Sequence, residues 1–394
     1  MFNLLEGVRV IDFTTAAAGP SCTKLLAEYG AEVITVEPTF GATTRQDTYY
    51  YDFWNGNKKS CPLNVKEPAG KNAMLLLIKT ADVFVSNFRI KALERLGLDY
   101  ESLKKVNPGL IYGLLTGWGE TRPVKDHPGY DVVCFWARGG YMRDMAEKGS
   151  ICVSPQGVGD TATGQALGMA VSSALYRKAR TGEGAKLSIS IYGEGIYLNN
   201  FQSITSQFGE EFQKSRLAPR EALANTYLCK DGWIVFFENK FRNFNNLLHA
   251  IGRDDLIGNP KWQCIDDTRF EHAPELVAIM DEAFSKMTCD EAVTALQDNG
   301  IAVEKCWSSL DTTTDPQALE NKYYFNWTLQ SGEKEGETIK MPASPVHVND
   351  EAPVHGYKRG PRLGEHTLEV LKSAGLTDEE IMELAAKGIT LAAE

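Results

Sequence analysis

Short apolar runs alternate with amphipathic stretches through the first third of the chain. The apolar, partly β-branched run 8–13 predicts a strand, 20–29 predicts a helix that begins at a proline, and 31–36 predicts a second strand. Two strands joined by a crossover helix run parallel to each other. The same alternation predicts helices at 67–80 and 90–96 and strands at 82–85 and 110–115. We therefore predict an α/β fold with a doubly wound parallel sheet, whose ligands bind at the carboxyl ends of the strands.

The pattern continues through the middle of the chain and then changes. Residues 160–177 predict a long helix in which small residues at alternate positions allow close packing, and 186–191 predict another strand. Beyond residue 199 the chain becomes polar, and Lys230-Asp231-Gly232 predicts a hairpin turn between two strands. The strands of this hairpin are predicted at 224–228 and 233–237, and further helices at 241–251, 273–285, 289–299 and, as the last, 365–374.

A chain of 394 residues is too long for one ordinary core, so we expect two lobes. The first lobe is expected to begin with residues 1–198. A small α+β lobe is expected at 224–321. Residues 199–223 and the extended, charge-rich 322–350 are expected to link the two lobes.

The composition argues against several classes of partner. A net charge of −11 disfavours nucleic acid, because neutralising phosphates needs a cationic face. The eight cysteines are scattered without a C-x-x-C pair and the six histidines are dispersed, so we predict reduced thiols in a cytoplasm and no metal site. Neither a signal peptide nor the ~20 apolar residues of a membrane helix is visible, so we expect a soluble protein with no membrane partner.

The loop Thr14-Thr-Ala-Ala-Ala-Gly-Pro20 follows the first predicted strand, where a nicotinamide enzyme carries G-x-G-x-x-G. That glycine spacing is missing, so we do not expect NAD. The small residues of the loop either leave room for a bulky ligand at the helix N-terminus or pack tightly for structural reasons. The loop alone does not decide between the two.

Basic residues cluster after the second and third predicted crossovers, on segments that emerge near strand ends. Together they could neutralise the phosphates of a nucleotide-like cofactor. Each could equally be a solvated surface charge. These residues are Lys58, Lys59, Lys66, Arg89, Lys91 and Arg95.

The segment Gly157-Val-Gly-Asp160-Thr-Ala-Thr-Gly164 places a carboxylate at the start of the predicted long helix. Aspartate is a favoured N-cap residue, and capping alone would explain it. The carboxylate could also be a covalent nucleophile, with backbone N–H groups stabilising the oxyanion of a reacting carbonyl. No serine-hydrolase elbow, P-loop or zinc-protease motif competes with it. The residues by themselves indicate an α/β enzyme with an anion-binding edge.

A series of motifs spread over nearly the whole chain is similar to those of one enzyme family. They are Leu5-Glu-Gly-Val-Arg-Val-Ile-Asp12, Ala18-Gly-Pro20, Tyr29-Gly-Ala-Glu-Val-Ile34, Val36-Glu-Pro38, Asn57-Lys-Lys-Ser60, Asn87-Phe-Arg89, Gly97-Leu-Asp-Tyr100, Pro128-Gly-Tyr-Asp131, Gly159-Asp160, Arg180-Thr-Gly-Glu-Gly184 and Leu363-Gly-Glu-His-Thr367. In this order they resemble the class III CoA-transferases, which include formyl-CoA, carnitine, 2-hydroxyacyl and aryllactate CoA-transferases.

The resemblance implies a site and an assembly. Asp160 matches the family's acylated aspartate, and coenzyme A or acyl-CoA is the implied substrate, with no metal. The implied CoA-binding residues are Ala17, Ala18, Leu63, Asn64, Val65, Lys66, Asn87, Phe88, Arg89, Arg95, Gly129 and Tyr130. The family fold implies an open ring made from a large Rossmann-like lobe and the small lobe, with residues 351–394 returning to join 1–198 in the large lobe. It also implies that two rings interlock as a homodimer.

Three departures from the family pattern bear on the substrate. Some members carry arginine where this chain has Pro38, so that ligand contact is expected from Arg45 or Lys59. The oxalate-using branch has glutamine where Ala17 stands, and its closing run of glycines is missing here, which disfavours formate and oxalate. Segments 125–131, 135–140 and 147–149 look most like the 2-hydroxyacyl and aryllactate branch.

We therefore expect the acceptor to be a 2-hydroxy acid with an aliphatic or aromatic side chain. Large residues near the expected site would either contact that side chain or belong to the core. They are Phe135, Trp136, Tyr141 and Met142. Tyr130 and Tyr141 are the candidates for bonding the 2-hydroxyl.

The mechanism implied by the resemblance is attack of Asp160 on an acyl-CoA, giving a mixed anhydride and then an aspartyl-CoA thioester. A 2-methylacyl-CoA racemase is the first alternative, but its relatives carry histidine where this chain has Tyr130, and a phenol of pKa ~10 is a poor base at neutral pH. A non-catalytic CoA-binding paralogue is the second alternative, and the presence of Asp160 argues against it.

Overall fold

The computed structural model describes residues 2–121, 124–147, 149–209, 215–219, 221–238, 243–262, 271–330, 332–352 and 356–392. Within them the chain divides into two compact units. The first unit comprises residues 1–140, 154–200 and 315–394, and the second comprises 141–153 and 201–314. Parts of several sequence predictions lie outside the described residues. These positions are 148 in the segment 147–149, 210–214 and 220 in the expected linker, 239–242 and 263–270 in the expected small lobe and its first helix, 331 in the return segment, and 353–355 and 393–394 in the C-terminal part of the large lobe.

The described strands are β1 Arg9–Phe13, β2 Glu32–Thr35, β3 Lys59–Ser60, β4 Val83–Ser86, β5 Ile111–Thr116, β6 Ala185–Ser190, β7 Ala224–Leu228, β8 Trp233–Phe237, β9 Ala302–Lys305, β10 Tyr324–Thr328 and β11 Thr338–Pro342. The described α-helices are α1 Ala18–Glu28, α2 Thr48–Asn55, α3 Pro68–Lys79, α4 Ile90–Leu96, α5 Tyr100–Val106, α6 Tyr141–Asp144, α7 Val158–Thr181, α8 Ile191–Leu198, α9 Asn200–Thr205, α10 Phe244–Ala250, α11 Ala273–Phe284, α12 Cys289–Asp298, α13 Pro316–Glu320, α14 Thr367–Ser373 and α15 Asp378–Ala386.

Six strands of the first unit form one parallel sheet in the order β3-β2-β1-β4-β5-β6. The predicted α/β fold with a doubly wound sheet is confirmed. Because the chain winds outward from β1 in both directions, the order reverses between β1 and β4. Open sheets of this kind bind ligands in the crevice at that reversal, beyond the carboxyl ends of the strands. The loops after Phe13 and Ser86 therefore mark where a site is expected.

The sheet is held by apolar side chains that are buried on both faces, as crossover helices require. Ile11 on β1 and Phe84 on β4 are completely buried, and Met74 and Leu77 of α3 cover the same face. Tyr112 of β5 packs its ring 5.2 Å from that of Phe84. This core leaves the strand ends free to carry polar groups.

Helix α7 packs directly on α1 through glycines, as the small residues of its sequence predict. A Cβ on Gly164 would lie 2.6 Å from the Ala18 carbonyl oxygen and 2.7 Å from Ser21 Cβ. A Cβ on Gly168 would lie 2.9 Å from the Leu25 side chain. The missing side chains let the two helices approach closely, and this contact sets the position of the first turn of α7.

The second unit contains the antiparallel sheet β7-β8-β9 and its covering helices. The predicted hairpin is confirmed, since β7 pairs with β8 and the Cys229 N–H donates to the Gly232 carbonyl at 2.8 Å. Tyr227 stacks on Phe236 and contacts Phe284, each with ring centroids 5.3 Å apart. These aromatic rings form the centre of a core separate from that of the first unit.

Several elements are present that the sequence pattern did not predict, including α2, α5, α8 and the β10–β11 hairpin. The helix predicted at 365–374 is present as α14, but the prediction that it is the last helix is wrong, because α15 follows it. Over the described ranges, no helix has the length and apolar character needed to cross a bilayer. Nor do the same ranges hold three His, Cys, Asp or Glu side chains grouped to bind a metal ion.

Candidate active site

A cavity of about 290 Å³ lies in the first unit where the strand order reverses. Its walls come from the loops after β1, β4 and β5, from the first turn of α7 and from the start of α8. The lining residues are Thr15, Ala16, Ala18, Asn87, Phe88, Arg89, Ile90, Leu115, Thr116, Gly117, Lys125, His127, Pro128, Gly129, Tyr130, Asp160 and Ile191.

The loop after β1 is held in an unusual conformation by Asn87. The Thr15 N–H donates to Asn87 Oδ1 at 2.9 Å, and Asn87 Nδ2 donates back to the Thr15 carbonyl at 2.7 Å. The next residue, Ala16, has a φ of +61°, which residues with a side chain rarely adopt. Strained positions of this kind cluster at ligand sites. Asn87 therefore shapes the cavity by using both of its polar atoms on the backbone.

Glycines bring the loop after β5 close to the cavity wall. A Cβ on Gly117 would lie 2.8 Å from the Cα of Gly129, and a Cβ on Gly129 would lie 2.9 Å from Cys134 Sγ. Only residues without a side chain fit this contact. Tyr130, which follows, is 68% exposed at the cavity mouth.

The mouth of the cavity carries cationic and ionisable side chains. Arg89 follows β4, and Lys125 and His127 lie on the loop after β5, and all three are exposed. Beside them Lys91 pairs with Asp126 at 2.8 Å. Exposed guanidinium and ammonium groups of this kind suit the phosphates of an anionic ligand.

Asp160 is the carboxylate at the inner wall. It is the third residue of α7, whose N-cap is Gly157, so the interpretation of Asp160 as the cap is wrong. Among the described residues, no group donates a hydrogen bond to its side chain. Burial raises the pKa of Asp160 to about 6, with a further contribution from the negative charge of Asp131. A carboxylate that is neither paired nor fully solvated is a basic, available nucleophile.

The structure brings together some of the residues predicted for CoA and separates others. Those that line the cavity with Asp160 are Ala18, Asn87, Phe88, Arg89, Gly129 and Tyr130. Those that do not line it are Ala17, Leu63, Asn64, Val65, Lys66 and Arg95. Leu63 and Val65 are core side chains, while Lys66 and Arg95 are exposed elsewhere on the first unit.

Besides Lys91, three of the basic candidates are bound to carboxylates. The ammonium of Lys58 is completely buried and lies 2.9 Å from Asp12 Oδ2, so its expected role at the ligand edge is wrong. Lys59 pairs with Glu32 and Glu369. Arg45, expected to replace the arginine missing at Pro38, pairs with Glu37.

Sequence reasoning missed other parts of the cavity. Lys125, His127, Thr116 and Ile191 line it without having been predicted as site residues. The available signal was their position at or beyond the ends of predicted strands, which the sequence pattern locates only to within a few residues. Phe135 and Trp136 are buried, which favours their core interpretation.

A second, apolar cavity of about 610 Å³ lies beside the first turn of α7. Tyr49, Tyr50, Phe53 and Trp54 of α2 form one wall, and Ile339, Met341 and Pro342 of β11 form another. Gln156, Gly157, Val158, Thr161, Ala162 and Gln165 complete it. The start of the helix that carries Asp160 thus borders both cavities.

Comparisons with known proteins agree with this geometry. Residues 5–367 match the family model described as CoA-transferase family III. The chain is 35% identical to (R)-2-hydroxy-4-methylpentanoate CoA-transferase of Clostridioides difficile, over 96% of this chain and 97% of that protein. It is 32% identical to cinnamoyl-CoA:phenyllactate CoA-transferase of Clostridium sporogenes, over 97% and 96%. The crystal structure of Rv3272 from Mycobacterium tuberculosis matches with a TM-score of 0.82 at 28% identity, over 93% of this chain and 98% of that one. The chain therefore belongs to CoA-transferase family III.

Proposed function

We propose that the protein transfers CoA from an acyl-CoA to a 2-hydroxy acid, with Asp160 as the covalent nucleophile. The observation that carries this proposal is the position of the Asp160 carboxylate in the cavity at the strand-order reversal. CoA thioesters are the substrates of the family. The cavity offers the thioester a half-buried carboxylate on one wall and basic side chains at its mouth.

The reaction balances with the carboxylate and CoA alone. Asp160 attacks the thioester carbonyl, forming an acyl-aspartyl anhydride and expelling CoA as its thiolate. The thiolate then attacks the aspartyl carbonyl, which forms an aspartyl-CoA thioester and releases the donor acid. The acceptor carboxylate attacks that thioester and expels the thiolate, which finally takes the new acyl group and frees Asp160.

The ionisation state of Asp160 suits this role. With a pKa of about 6 the side chain is mostly ionised at neutral pH, yet more basic than an ordinary aspartate. Arg89 and Lys125 are placed to bind the phosphates of CoA at the cavity mouth. Phe88, whose ring stacks 4.6 Å from that of Phe13, gives the pantetheine arm an apolar surface.

Substitution of the nucleophile tests the proposal. Asp160→Ala and Asp160→Asn should abolish CoA transfer in a donor–acceptor assay, while Asp298→Asn, which changes an exposed carboxylate of the second unit, should leave it intact. Full transferase activity in either Asp160 variant would show that another group carries the chemistry.

The choice of a 2-hydroxy acid rests on two observations. The relatives at 35% and 32% identity are named for 2-hydroxy-4-methylpentanoate and phenyllactate. The apolar cavity beside α7 offers space for a branched or aromatic side chain, and each buried methylene contributes roughly 0.8 kcal/mol to binding. Trp54→Ala should therefore raise KM for phenyllactate more than for a short 2-hydroxy acid. Equal effects on both acids would count against this cavity as the side-chain site.

We also propose that the protein acts as a homodimer. Large apolar side chains on α8, α9 and the turn that follows are exposed, among them Tyr197 at 74%, Phe201 at 76% and Phe208 at 80%. Apolar side chains exposed in such number mark interaction surfaces. Sedimentation at micromolar concentration should give the mass of two chains, and a monomer under those conditions would contradict this proposal.

A further inference from the structure

Helix α7 has no cap of its own at the end that carries Asp160. Its N-cap residue, Gly157, has no side chain and adopts a φ of +81°. The first N–H groups of a helix have no partner within it and need an acceptor from elsewhere. Because Asp160 is only the third residue of α7, any fraying of this turn would displace its carboxylate.

Asp131 supplies the acceptor from a different part of the chain. Its Oδ2 accepts a hydrogen bond from the Gly157 N–H at 2.7 Å, and its side chain is buried, with the residue 7% exposed. Burial raises the pKa of Asp131, while the N–H groups of Gly157 and Gly159 and the Trp136 side chain lower it. The Gly157 N–H thus stabilises the ionised carboxylate at the start of α7.

The contact is close and leaves little room for adjustment. A Cβ on Gly159 would overlap Asp131 Oδ1 and the ring of Phe135. Phe135 lies in the π-helical turn Val132–Ala137, which begins directly after Asp131. Wide turns of this type occur frequently at functional sites. Asp131 and this turn therefore pack as one surface against the backbone of Gly159.

Asp131 also connects two walls of the cavity. The residues immediately before it, Gly129 and Tyr130, line the cavity, and α7 contributes Asp160 to the same cavity. We propose that Asp131 is a positioning residue for CoA transfer. Its carboxylate caps the helix that carries Asp160 and so fixes the position of Asp160 relative to the cavity wall formed by Gly129 and Tyr130. This inference rests on the proposed role of Asp160.

The charge of Asp131 provides a readout that a purely structural contact would not. The other ionisable groups near Asp160 are Cys134 on the π-helical turn with Arg138 beyond it, and Arg89, Lys125, His127 and Tyr130 around the cavity. Of all these, Asp131 is the group whose charge raises the pKa of Asp160. Removing that charge while keeping the acceptor oxygen should lower this pKa.

Two substitutions separate the cap from the charge. Asp131→Ala removes both and should lower kcat for transfer about 10–100-fold, with a smaller change in KM for acyl-CoA, because displacement of a reacting group costs mainly turnover. Asp131→Asn keeps an oxygen for the Gly157 N–H and should recover most of kcat. Its acid limb in the pH profile of kcat/KM should lie at lower pH than that of the wild type. Asp298→Asn serves as the unaffected control.

The results distinguish this inference from the proposed function. Wild-type kcat in Asp131→Ala, or an acid limb in Asp131→Asn that coincides with the wild type, would overturn the role of Asp131. If Asp131→Ala does not fold, the pH profile of Asp131→Asn alone decides. Failure of the wild type to form any adduct on Asp160 during turnover would instead overturn the proposed function itself.

Discussion

The ionised side chain of Asp160 should lower the folding stability of the protein. Its pKa is raised from 3.8 to about 6 because burial and Asp131 disfavour the charged form in the folded state. Ionising the group therefore costs folding free energy, and asparagine, which cannot ionise, avoids that cost. We expect Asp160→Asn to be more stable than the wild type at neutral pH.

The raised pKa of Asp160 sets the size and the pH dependence of the stability that Asp160→Asn gains. A shift of about two units at 1.36 kcal/mol per unit gives about 3 kcal/mol as an upper limit, and partial solvent access reduces it to about 1–3 kcal/mol. A raised pKa favours the protonated form, so the gain is fully present above pH 6. The gain falls to roughly a third at about pH 4.5 and disappears below the pKa of this aspartate in the unfolded chain.

Scanning calorimetry of the ligand-free protein near pH 8 and near pH 4.5 measures this gain in stability. Asp160→Asn should unfold at a higher temperature than the wild type near pH 8, and the difference should shrink near pH 4.5. Asp298→Asn should show no such pattern. Equal unfolding temperatures near pH 8, or a gain that persists unchanged in acid, would refute the argument from the raised pKa.

Three further predictions follow from contacts in the first unit. The kcat/KM of the wild type should fall as pH drops below about 6, because the proposed nucleophile, Asp160, becomes protonated, and a flat profile through this range would contradict that. Lys58→Met should cost about 3–5 kcal/mol in urea unfolding because it leaves the Asp12 carboxylate buried without its partner, and Asp12→Asn in the same chain should restore much of the loss. Gly164→Ala should destabilise by about 1–3 kcal/mol, since its Cβ would meet the α1 backbone at 2.6 Å, whereas Gly168→Ala meets only a flexible leucine and should be nearly neutral.

The sheet was predictable because its strands and helices carry their own local periodicity. Residues 8–36 give β1, α1 and β2 to within two residues, and the strand order then follows from where the crossovers must pack. Helix α15 carried a signal that went unused, since Thr377 and Glu380 form a capping box at its start. Helix α2, with its run of aromatic residues, has no comparable local signal.

Some residues of the candidate cavity could be located from sequence because a local pattern positions them. The pattern places Asp160 in the first turn of a helix and Asn87-Phe-Arg89 directly after a strand, and these residues line the cavity. Pairs far apart in sequence were not predictable. Lys58 looked like a surface cation, and only the fold shows that it is buried against Asp12, 46 residues away. The bond from Gly157 to Asp131 likewise joins segments 26 residues apart.

The proposed mechanism requires Asp160 to carry the acyl group and then CoA during turnover. The direct measurement is to incubate the wild type with an acyl-CoA donor, add hydroxylamine or borohydride, and determine the mass of each peptide after digestion. A hydroxamate or a reduced side chain should form at Asp160 only with the donor present and should be absent from Asp160→Asn. An unmodified Asp160 peptide in an enzyme that is turning over, or an adduct on another residue, would contradict it.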